Sequence, residues 1–334
     1  MKKFLKKVLP AKIVSMIISY KRKKQIKTAF RYDAKRYIKY SASLDSSSEI
    51  KLLGIIIKEY HIVEKGLTMP ETRLGFGREL LLTLIKHCVL YLSMYGGKNE
   101  QVKHAIQVVL EYEEFHKRNS YILSNDIIEE LKKLKKILTQ QCTPAIQKEI
   151  NREDFFASVN SSFFEFATSR SSVRNYTDED VPVQSLVRAL DLSKTTPSAC
   201  NRQTCRTYIV TNKDEINDIL EVQQGARGFG HLANKLIIIT AEIGVFSGDI
   251  ERYQMYIDGG IYTMNLLYAL HYEKIAACVL NCDHSPEKDV KLRNRCKVKD
   301  SEHFIAMISC GVPPKKFKVA LSKRLNIEST NTIL

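Results

Sequence analysis

Arg170-Ser-Ser-Val-Arg-Asn-Tyr176 is the stretch of sequence that says most about the fold and the chemistry of this chain. Arg170 and Arg174 are four residues apart, and the hydroxyl groups of Ser171 and Ser172 lie between them. Planar guanidinium groups match the geometry of a phosphate and keep their charge at any working pH. The stretch therefore predicts a site for one phosphate dianion. The alternative is that the two arginines pair with the downstream acids Asp178, Glu179 and Asp180.

A second stretch, Thr196-Pro-Ser-Ala-Cys-Asn-Arg-Gln203, adds a different kind of polar group. The side-chain amides of Asn201 and Gln203 carry both donors and acceptors, as is needed to recognise the polar edge of a flat heterocycle. Taken alone, these two residues could equally belong to a turn. Combined with a phosphate site, they point to a mononucleotide cofactor.

Together the two stretches resemble motifs of the nitroreductase-like flavoproteins, R-x-S-x-R/K-x-F/Y and P-S-x-x-N-x-Q-P-W. Thr204 and Cys205 stand where the family has Pro-Trp, which affects the local packing more than the cofactor. Further on, residues 258–267 are similar to the family's D-x-G-x-x-x-x-N-L-L helix, and residues 308–313 to its late I-x-x-G-x-P strand end. The four landmarks occur in the family's order between residues 160 and 325, about half of the chain.

The resemblance implies an α+β fold: a nitroreductase-like mixed sheet flanked by helices, in an intertwined homodimer. It also implies FMN as cofactor and NAD(P)H as electron donor, with two-electron reduction of an acceptor that no motif identifies. The flavin carries such chemistry, so no catalytic side chain is predicted. Two alternatives remain: a flavin enzyme that does not use nicotinamide, and a non-catalytic or membrane-tethered assembly protein that retains the fold.

The predicted cofactor contacts fall into four places along the chain. The resemblance assigns the flavin edge to the second stretch and assigns completion of the phosphate pocket to late basic residues, with Lys315, Lys316 and Lys318 as the alternative set. A weaker part of the resemblance points to Arg227, the one cation in residues 223–230, which precede the predicted strand Lys235–Ala241. The predicted residues are Arg170, Ser171, Ser172, Arg174, Pro197, Ser198, Asn201, Gln203, Arg227, Ser322, Lys323 and Arg324.

The composition is that of a globular protein of 334 residues, long enough for two domains. Its eight cysteines show no paired zinc-ligand spacing, so reduced cytoplasmic thiols are expected. The net charge of +15 is concentrated at the start of the chain, because residues 1–40 hold fourteen Lys or Arg against the single acid Asp33. The rest of the chain is close to neutral.

This basic arm, residues 1–40, also contains apolar residues and has three interpretations. It is a solvated helix packed on its own protein, a peripheral contact with an anionic membrane, or, less favoured, a nucleic-acid contact. Its apolar run between Lys12 and Lys21 is too short to span a bilayer, and no small-residue cleavage site follows it. We therefore expect a cytoplasmic protein with a peripheral membrane contact as an option and with no nucleic-acid partner.

The concentration of charge predicts an arm over 1–40, and the apolar pattern predicts a helical domain over 41–150 and a second domain over 151–334, which the resemblance identifies as flavin-binding. Helical periodicity and end signals predict N-terminal helices from Glu49, over Glu79–Tyr95, Val102–Arg118 and Asn125–Gln141. The C-terminal half alternates between strands and helices. Its predicted helices are Val183–Ser193, Lys213–Gln223 and Gly259–His271, and its predicted strands Thr207–Thr211, Lys235–Ala241, Ile275–Leu280 and Phe304–Cys310.

Two histidine–glutamate pairs in the N-terminal half have spacings that place each pair on one helix face. These are His61 with Glu64, and Glu113 with His116. The Glu-x-x-His spacing occurs in di-iron helical bundles, but further Glu ligands on facing helices cannot be assigned here. We therefore predict hydrogen bonds near helix ends, with no metal site.

Overall fold

The computed structural model of the chain describes residues 10–138, 142–282 and 284–334. Over these residues the chain forms twelve α-helices and six strands. The helices are α1 (Ala11–Tyr40), α2 (Glu49–Leu67), α3 (Arg78–Tyr95), α4 (Glu100–Arg118), α5 (Asn125–Ile137), α6 (Arg152–Phe155), α7 (Phe163–Ser169), α8 (Val183–Ser193), α9 (Lys213–Gln223), α10 (Gln254–Tyr272), α11 (Pro286–Cys296) and α12 (Ile327–Thr330). The strands are β1 (Lys148–Asn151), β2 (Cys205–Val210), β3 (Lys235–Glu242), β4 (Ala276–Asn281), β5 (Glu302–Gly311) and β6 (Lys316–Val319).

Helices α2 to α5 pack around one apolar core, as the helical periodicity predicts. Local signals set several of their ends. Gly96 ends α3 with a φ of 78°, a backbone conformation that glycine adopts without strain. The side chain of Asn99 accepts hydrogen bonds from the first turn of α4. The predicted end of α5 at Gln141 falls on residues 139–141, which lie outside the described residues.

A four-stranded sheet in the order β2-β3-β5-β4 forms the centre of the C-terminal half. Successive side chains of a strand point to opposite faces of a sheet. Accordingly, Leu236 and Ile238 of β3 enter one core with residues of α9 and α11. Ile237 and Ile239 enter a second core with residues of α8 and α10. Both faces of the sheet are thus covered by helices, and β3 is buried along almost its whole length.

The predicted α+β class with a helix-covered sheet is confirmed. Each described pair of this sheet, β2 with β3, β3 with β5 and β4 with β5, is antiparallel. The parallel pairing that makes a sheet mixed is therefore not found among the described residues of one chain. The reason is that α9 joins β2 to its antiparallel neighbour β3, and α11 likewise joins β4 to β5. Alternation of strands and helices in the sequence does not distinguish such connections from parallel crossovers.

Several contacts connect the N-terminal helices to the C-terminal half. Lys323 forms an ion pair with Glu100, its Nζ lying 2.9 Å from Oε2, and its carbonyl accepts a hydrogen bond from Gln101. The short strands β1 and β6 pair in an antiparallel sheet. Beyond α2, the side chain of Met69 lies against Gly228. The segment after β6 therefore returns to the N-terminal helices.

Helix α1 corresponds to most of the predicted basic arm and is largely exposed to solvent. Asp33 is held to the C-terminal half by an ion pair with Arg252, at 2.6 Å between Oδ2 and Nε. Residues 1–9, with four of the predicted basic residues, lie outside the described part of the chain. Within residues 10–138, 142–282 and 284–334, no helix is both long enough and apolar enough to cross a membrane.

Candidate functional site

The Arg170–Tyr176 stretch leaves the end of α7 as an extended segment that lies against the sheet. The Val173 amide donates to the Ala277 carbonyl at 3.1 Å. The buried Tyr176 hydroxyl lies within hydrogen-bonding distance of the carbonyls of Val173 and Ser309. Val173 and Tyr176 enter the apolar core, whereas Arg170, Ser172 and Arg174 all interact with the thiol of Cys278. The predicted phosphate-binding side chains therefore share one neighbour, although the segment is not a helical turn.

Arg170 and Arg174 both interact electrostatically with the buried thiol of Cys278, which also interacts with the hydroxyl of Ser172. Arg174 is only 8% exposed. Burial lowers the pKa of Arg170, and the nearby charge of Arg324 acts in the same direction. Burial likewise raises the pKa of Cys278 in spite of the cations around it. This is an electropositive, poorly hydrated site.

The acids that could neutralise the two arginines are engaged elsewhere. Glu179 pairs with Arg152 at 2.7 Å, and Asp180 pairs with Lys235 at 2.5 Å. Within the described part of the chain, neither Arg170 nor Arg174 forms an ion pair with a carboxylate, and the buried Nε of Arg170 has no hydrogen-bond partner. The alternative of pairing with the acids at 178–180 is thus not realised. Buried cations without partners are costly unless an anion accompanies them.

The second predicted stretch forms a tight loop between α8 and β2. Cys200, Asn201 and Gln203 all adopt left-handed backbone conformations, with φ values of 53°, 55° and 48°. Such conformations are uncommon outside glycine and are frequent at binding sites. The Gln203 amide donates to the Ser198 hydroxyl at 2.9 Å, which closes the loop.

Asp258, at the start of the predicted D-x-G helix, holds this loop from α10. Its carboxylate is 2% exposed, accepts from the Ala199 amide at 3.2 and 3.3 Å and accepts from the Gln254 side chain at 2.7 Å. A cavity of about 210 Å³ lies between the loop and α10, lined in part by Pro197, Ser198 and Gln203. The sequence motif assigned no role to Asp258, and its contacts show that it holds the 197–203 loop in place.

The two residues that replace the family's Pro-Trp pair lie at the base of this loop. Thr204 is buried, and its carbonyl accepts a hydrogen bond from the Glu242 amide at 3.0 Å. Burial raises the pKa of Cys205 to about 11, so this thiol is protonated at neutral pH. Cys200 is exposed.

The remaining predicted residues are spread over three environments. Arg227 lies in a separate cavity of about 490 Å³ beside α9. Lys323 is committed to Glu100, and Ser322 has a left-handed φ of 47°. Arg324 lies near Arg170 and near Tyr60 of α2, as their electrostatic interactions show. Of the late basic residues, Arg324 is therefore the one that joins the arginine cluster.

The cavity at the 197–203 loop is not lined by Arg170 or Arg174. Arg227 lies in a cavity of its own, so it joins neither group of predicted contacts. The structure thus brings together Arg170, Ser172, Arg174 and Arg324 in one place, and Pro197, Ser198 and Gln203 in another.

The histidine–glutamate pairs of the N-terminal half form hydrogen-bonded contacts. Buried Glu64 lies 2.7 Å from His104 Nε2 and 3.6 Å from His61 Nδ1, and these contacts lower its pKa despite its burial. Glu113 pairs with Lys135 at 2.7 Å, whereas His116 accepts from the Gly75 amide at 2.8 Å. In the part of the chain that the structure describes, no group of three or more His, Cys, Asp or Glu is arranged to hold a metal.

Residues 167–312 match a protein-family model described as the Nitroreductase family. The predicted resemblance of the C-terminal half is thereby confirmed, and no family model matches the helical region before it. Comparison with curated proteins finds no match.

Solved structures similar to this chain include the following three. An FMN-dependent nitroreductase from Clostridium difficile is 20% identical, with 50% of this chain and 96% of that chain covered and a TM-score of 0.43. A protein from Desulfovibrio desulfuricans, described as a nitroreductase in complex with FMN, is 20% identical over 52% of this chain and 97% of its own, with a TM-score of 0.44. NfrA2 of Bacillus megaterium is 15% identical, with 51% of this chain and 72% of that chain covered and a TM-score of 0.45. At this level of similarity no functional argument rests on them.

Proposed function

We propose that the C-terminal half binds FMN and is an FMN-dependent oxidoreductase. The observation that carries the proposal is the pair Arg170 and Arg174, which both act on the buried Cys278 and have no carboxylate partner among the described residues. The family match over residues 167–312 supports an oxidoreductase of this type.

The donors present fit a phosphomonoester. Two guanidinium groups and the Ser172 hydroxyl interact with the same buried thiol, and the buried Arg170 Nε lacks a partner. A terminal monophosphate suits this crowded site, which favours FMN over FAD. When bound, the flavin supplies two-electron redox chemistry, with NAD(P)H as the donor we propose.

Each group of residues has its own proposed task. Arg170, Arg174 and Arg324 hold the phosphate, together with the hydroxyls of Ser171, Ser172 and Ser322. The 197–203 loop, held by Asp258, presents Ser198, Asn201 and Gln203 to the polar edge of the flavin ring. The protein thus binds and orients the cofactor and needs no acid–base side chain of its own.

We further propose that the protein acts as a homodimer. The exposed apolar residues support this. Phe163 and Phe164 of α7, immediately before the arginine stretch, are 72% and 77% exposed. Ile257 and Ile261 of α10 are also exposed, and they flank the helix turn that carries Asp258. Large apolar side chains exposed next to a binding site are typical of a subunit interface.

The test of the cofactor site is the double substitution Arg170→Ala, Arg174→Ala. Each charge-assisted hydrogen bond lost should cost roughly 1.5–3 kcal/mol, so the variant should release FMN during purification. Lys316→Ala, Lys318→Ala removes the same charge from the exposed residues of β6, which belong to the alternative set, and should leave FMN bound. Absorbance at the flavin maximum measures occupancy, and full retention of FMN by the arginine variant would refute the site.

The electron donor and the redox role are tested on the FMN-loaded protein. Anaerobic addition of NADH or NADPH should bleach the flavin if the protein is a nicotinamide-dependent reductase. A flavin that is bound but not bleached would favour the alternative functions, a nicotinamide-independent enzyme or a non-catalytic partner protein.

We also propose that α1 brings the protein to anionic membrane surfaces. It carries ten Lys or Arg between residues 10 and 40 and exposes large apolar side chains such as Met16, Tyr20 and Phe30. Each cation near such a surface contributes on the order of 1 kcal/mol. Co-sedimentation with anionic vesicles should therefore fall as salt rises and should be lost when residues 1–40 are deleted. Equal binding by both proteins would rule out this role.

A further inference from the structure

The C-terminal end of α2 reaches the arginine cluster from the N-terminal half. Contacts on both sides of this helix end fix its position. Before it, the Tyr60 hydroxyl donates to Gln101 at 2.5 Å, and Gln101 in turn donates to the Lys323 carbonyl, next to Arg324. After it, Met69 packs into the core beside β3 and β5. Lys65 lies between these two points of attachment.

Lys65 lies close to Arg174 and to Cys278, as their electrostatic interactions show. Burial lowers the pKa of Lys65, and the positive charge of Arg174 lowers it further. Cys278 interacts electrostatically with Lys65, Arg170 and Arg174, so cations from both halves of the chain act on one buried thiol. No ion pair or hydrogen bond of the Lys65 amine occurs within residues 10–138, 142–282 and 284–334.

Simpler explanations for a lysine at this position do not account for the arrangement. A cation in the last turn of a helix is favoured by the helix dipole, but this effect is small and does not require the amine to be buried. The adjacent carboxylate of Glu64 is directed to His104 and His61, not to Lys65. Lys65 thus stays poorly hydrated beside Arg174 with no protein anion to offset their repulsion.

We infer that Lys65, from the N-terminal helical half, is part of the FMN phosphate pocket together with Arg170 and Arg174. This inference rests on the proposed function and extends it outside the family match at residues 167–312. A phosphate dianion between the three cations supplies the charge that the protein lacks there. It also gives the N-terminal half a role, because α2 then holds one wall of the cofactor site.

The experiment titrates FMN and riboflavin onto flavin-free full-length protein and follows flavin fluorescence. Riboflavin lacks the phosphate, so the ratio of the two affinities isolates the phosphate contribution. Lys65→Met keeps a long unbranched side chain and removes the charge. It should weaken FMN binding about 10- to 100-fold. Riboflavin binding should change by less than about twofold. The matched control is Lys58→Met, because Lys58 is exposed on the same helix.

Two further variants keep the test decisive. Lys65→Arg retains the charge and should bind FMN within about threefold of the wild type. If Lys65→Met does not fold, Lys65→Gln takes its place with the same expectation.

Each outcome separates the inference from the proposal beneath it. FMN affinity that is unchanged in Lys65→Met but lost in Arg170→Ala, Arg174→Ala would refute the role of Lys65 alone. Equal losses of FMN and riboflavin, or a loss in Lys65→Arg as large as in Lys65→Met, would show a packing role and refute it too. Wild-type protein that binds neither flavin would refute the proposed function as well as the inference.

Discussion

Substituting Gln for His271 should make the protein less sensitive to acid. His271 lies near the end of α10, is 2% exposed and is flanked by the rings of Phe155, Phe156 and Phe166. Its Nε2 lies 2.8 Å from the Ser169 hydroxyl. Burial, with a smaller contribution from the charge of Arg170, lowers the pKa of His271 from its ordinary value of 6.5 to about 4. The folded protein therefore holds this imidazole neutral.

The size of the effect follows from the two pKa values. A lowered pKa gives stability that is complete above about pH 6.5 and is lost as the pH falls toward 4, because the unfolded chain binds the proton more readily. Between pH 7 and pH 5 this proton binding lowers the free energy of unfolding of the wild type by about 2 kcal/mol. Glutamine keeps a donor for Ser169 but does not titrate. His271→Gln should avoid this loss, while its altered ring packing lowers stability by the same amount at every pH.

Urea unfolding of the flavin-free wild type and variant at pH 7 and pH 5 measures this difference. The free energy of unfolding comes from linear extrapolation at each pH. Other groups that titrate in this range contribute equally to both proteins, so they cancel when the two pH dependences are subtracted. The wild type should lose about 2 kcal/mol more than the variant on acidification. Equal losses in both proteins, within about 0.5 kcal/mol, would refute a buried neutral His271 beside Arg170.

Two neighbouring glycines of α10 give a matched pair of substitutions. A Cβ on Gly259 would lie 2.7 Å from Ile305 on the sheet, so Gly259→Ala should destabilise the protein by about 1–3 kcal/mol. A Cβ on Gly260 would have nothing within 4 Å, so Gly260→Ala should stabilise the protein by up to about 1 kcal/mol. Thermal unfolding of both variants decides this, and equal melting temperatures would contradict the packing described for α10. Asp258→Asn should destabilise by about 1–3 kcal/mol, because its new amide group faces donors from Ala199 and Gln254. The affinity of Asp258→Asn for FMN should also fall. Unchanged affinity in this variant would refute a contact between the 197–203 loop and the flavin.

The helices of this chain were predictable where short-range signals define them. Ser48 precedes α2, Gly96 follows α3, and α8 and α9 have the bounds that their apolar patterns predict. Pairing between distant segments was not predictable in the same way. The small sheet of β1 and β6 joins residues 148–151 to residues 316–319, and nothing in either short segment identifies the other.

The same contrast between short-range signals and distant pairing explains which parts of the site could be predicted. Arg170, Ser172 and Arg174 could be identified because the motif places them within one short stretch, and all three interact with Cys278. The absence of a carboxylate partner could not be foreseen, because it depends on Arg152 and Lys235 engaging Glu179 and Asp180 instead. Gly66 illustrates a similar limit. It is the next-to-last residue of α2, and the ring of Phe76, ten residues further along the chain, leaves no room there for a Cβ.

The position of Lys65 bears on how far the two halves of the chain are independent. Every cofactor motif lies after residue 160, which favours a self-contained flavin domain over residues 151–334. The contacts around the arginine cluster point the other way, because Lys323 and its neighbour Arg324 are positioned through Glu100 and Gln101 of α4. If Lys65 and Arg324 both hold the phosphate, then two of its four cations depend on the N-terminal helices. The division at residue 150 would then separate two cores but not two functions, and the helical half would belong to the cofactor site.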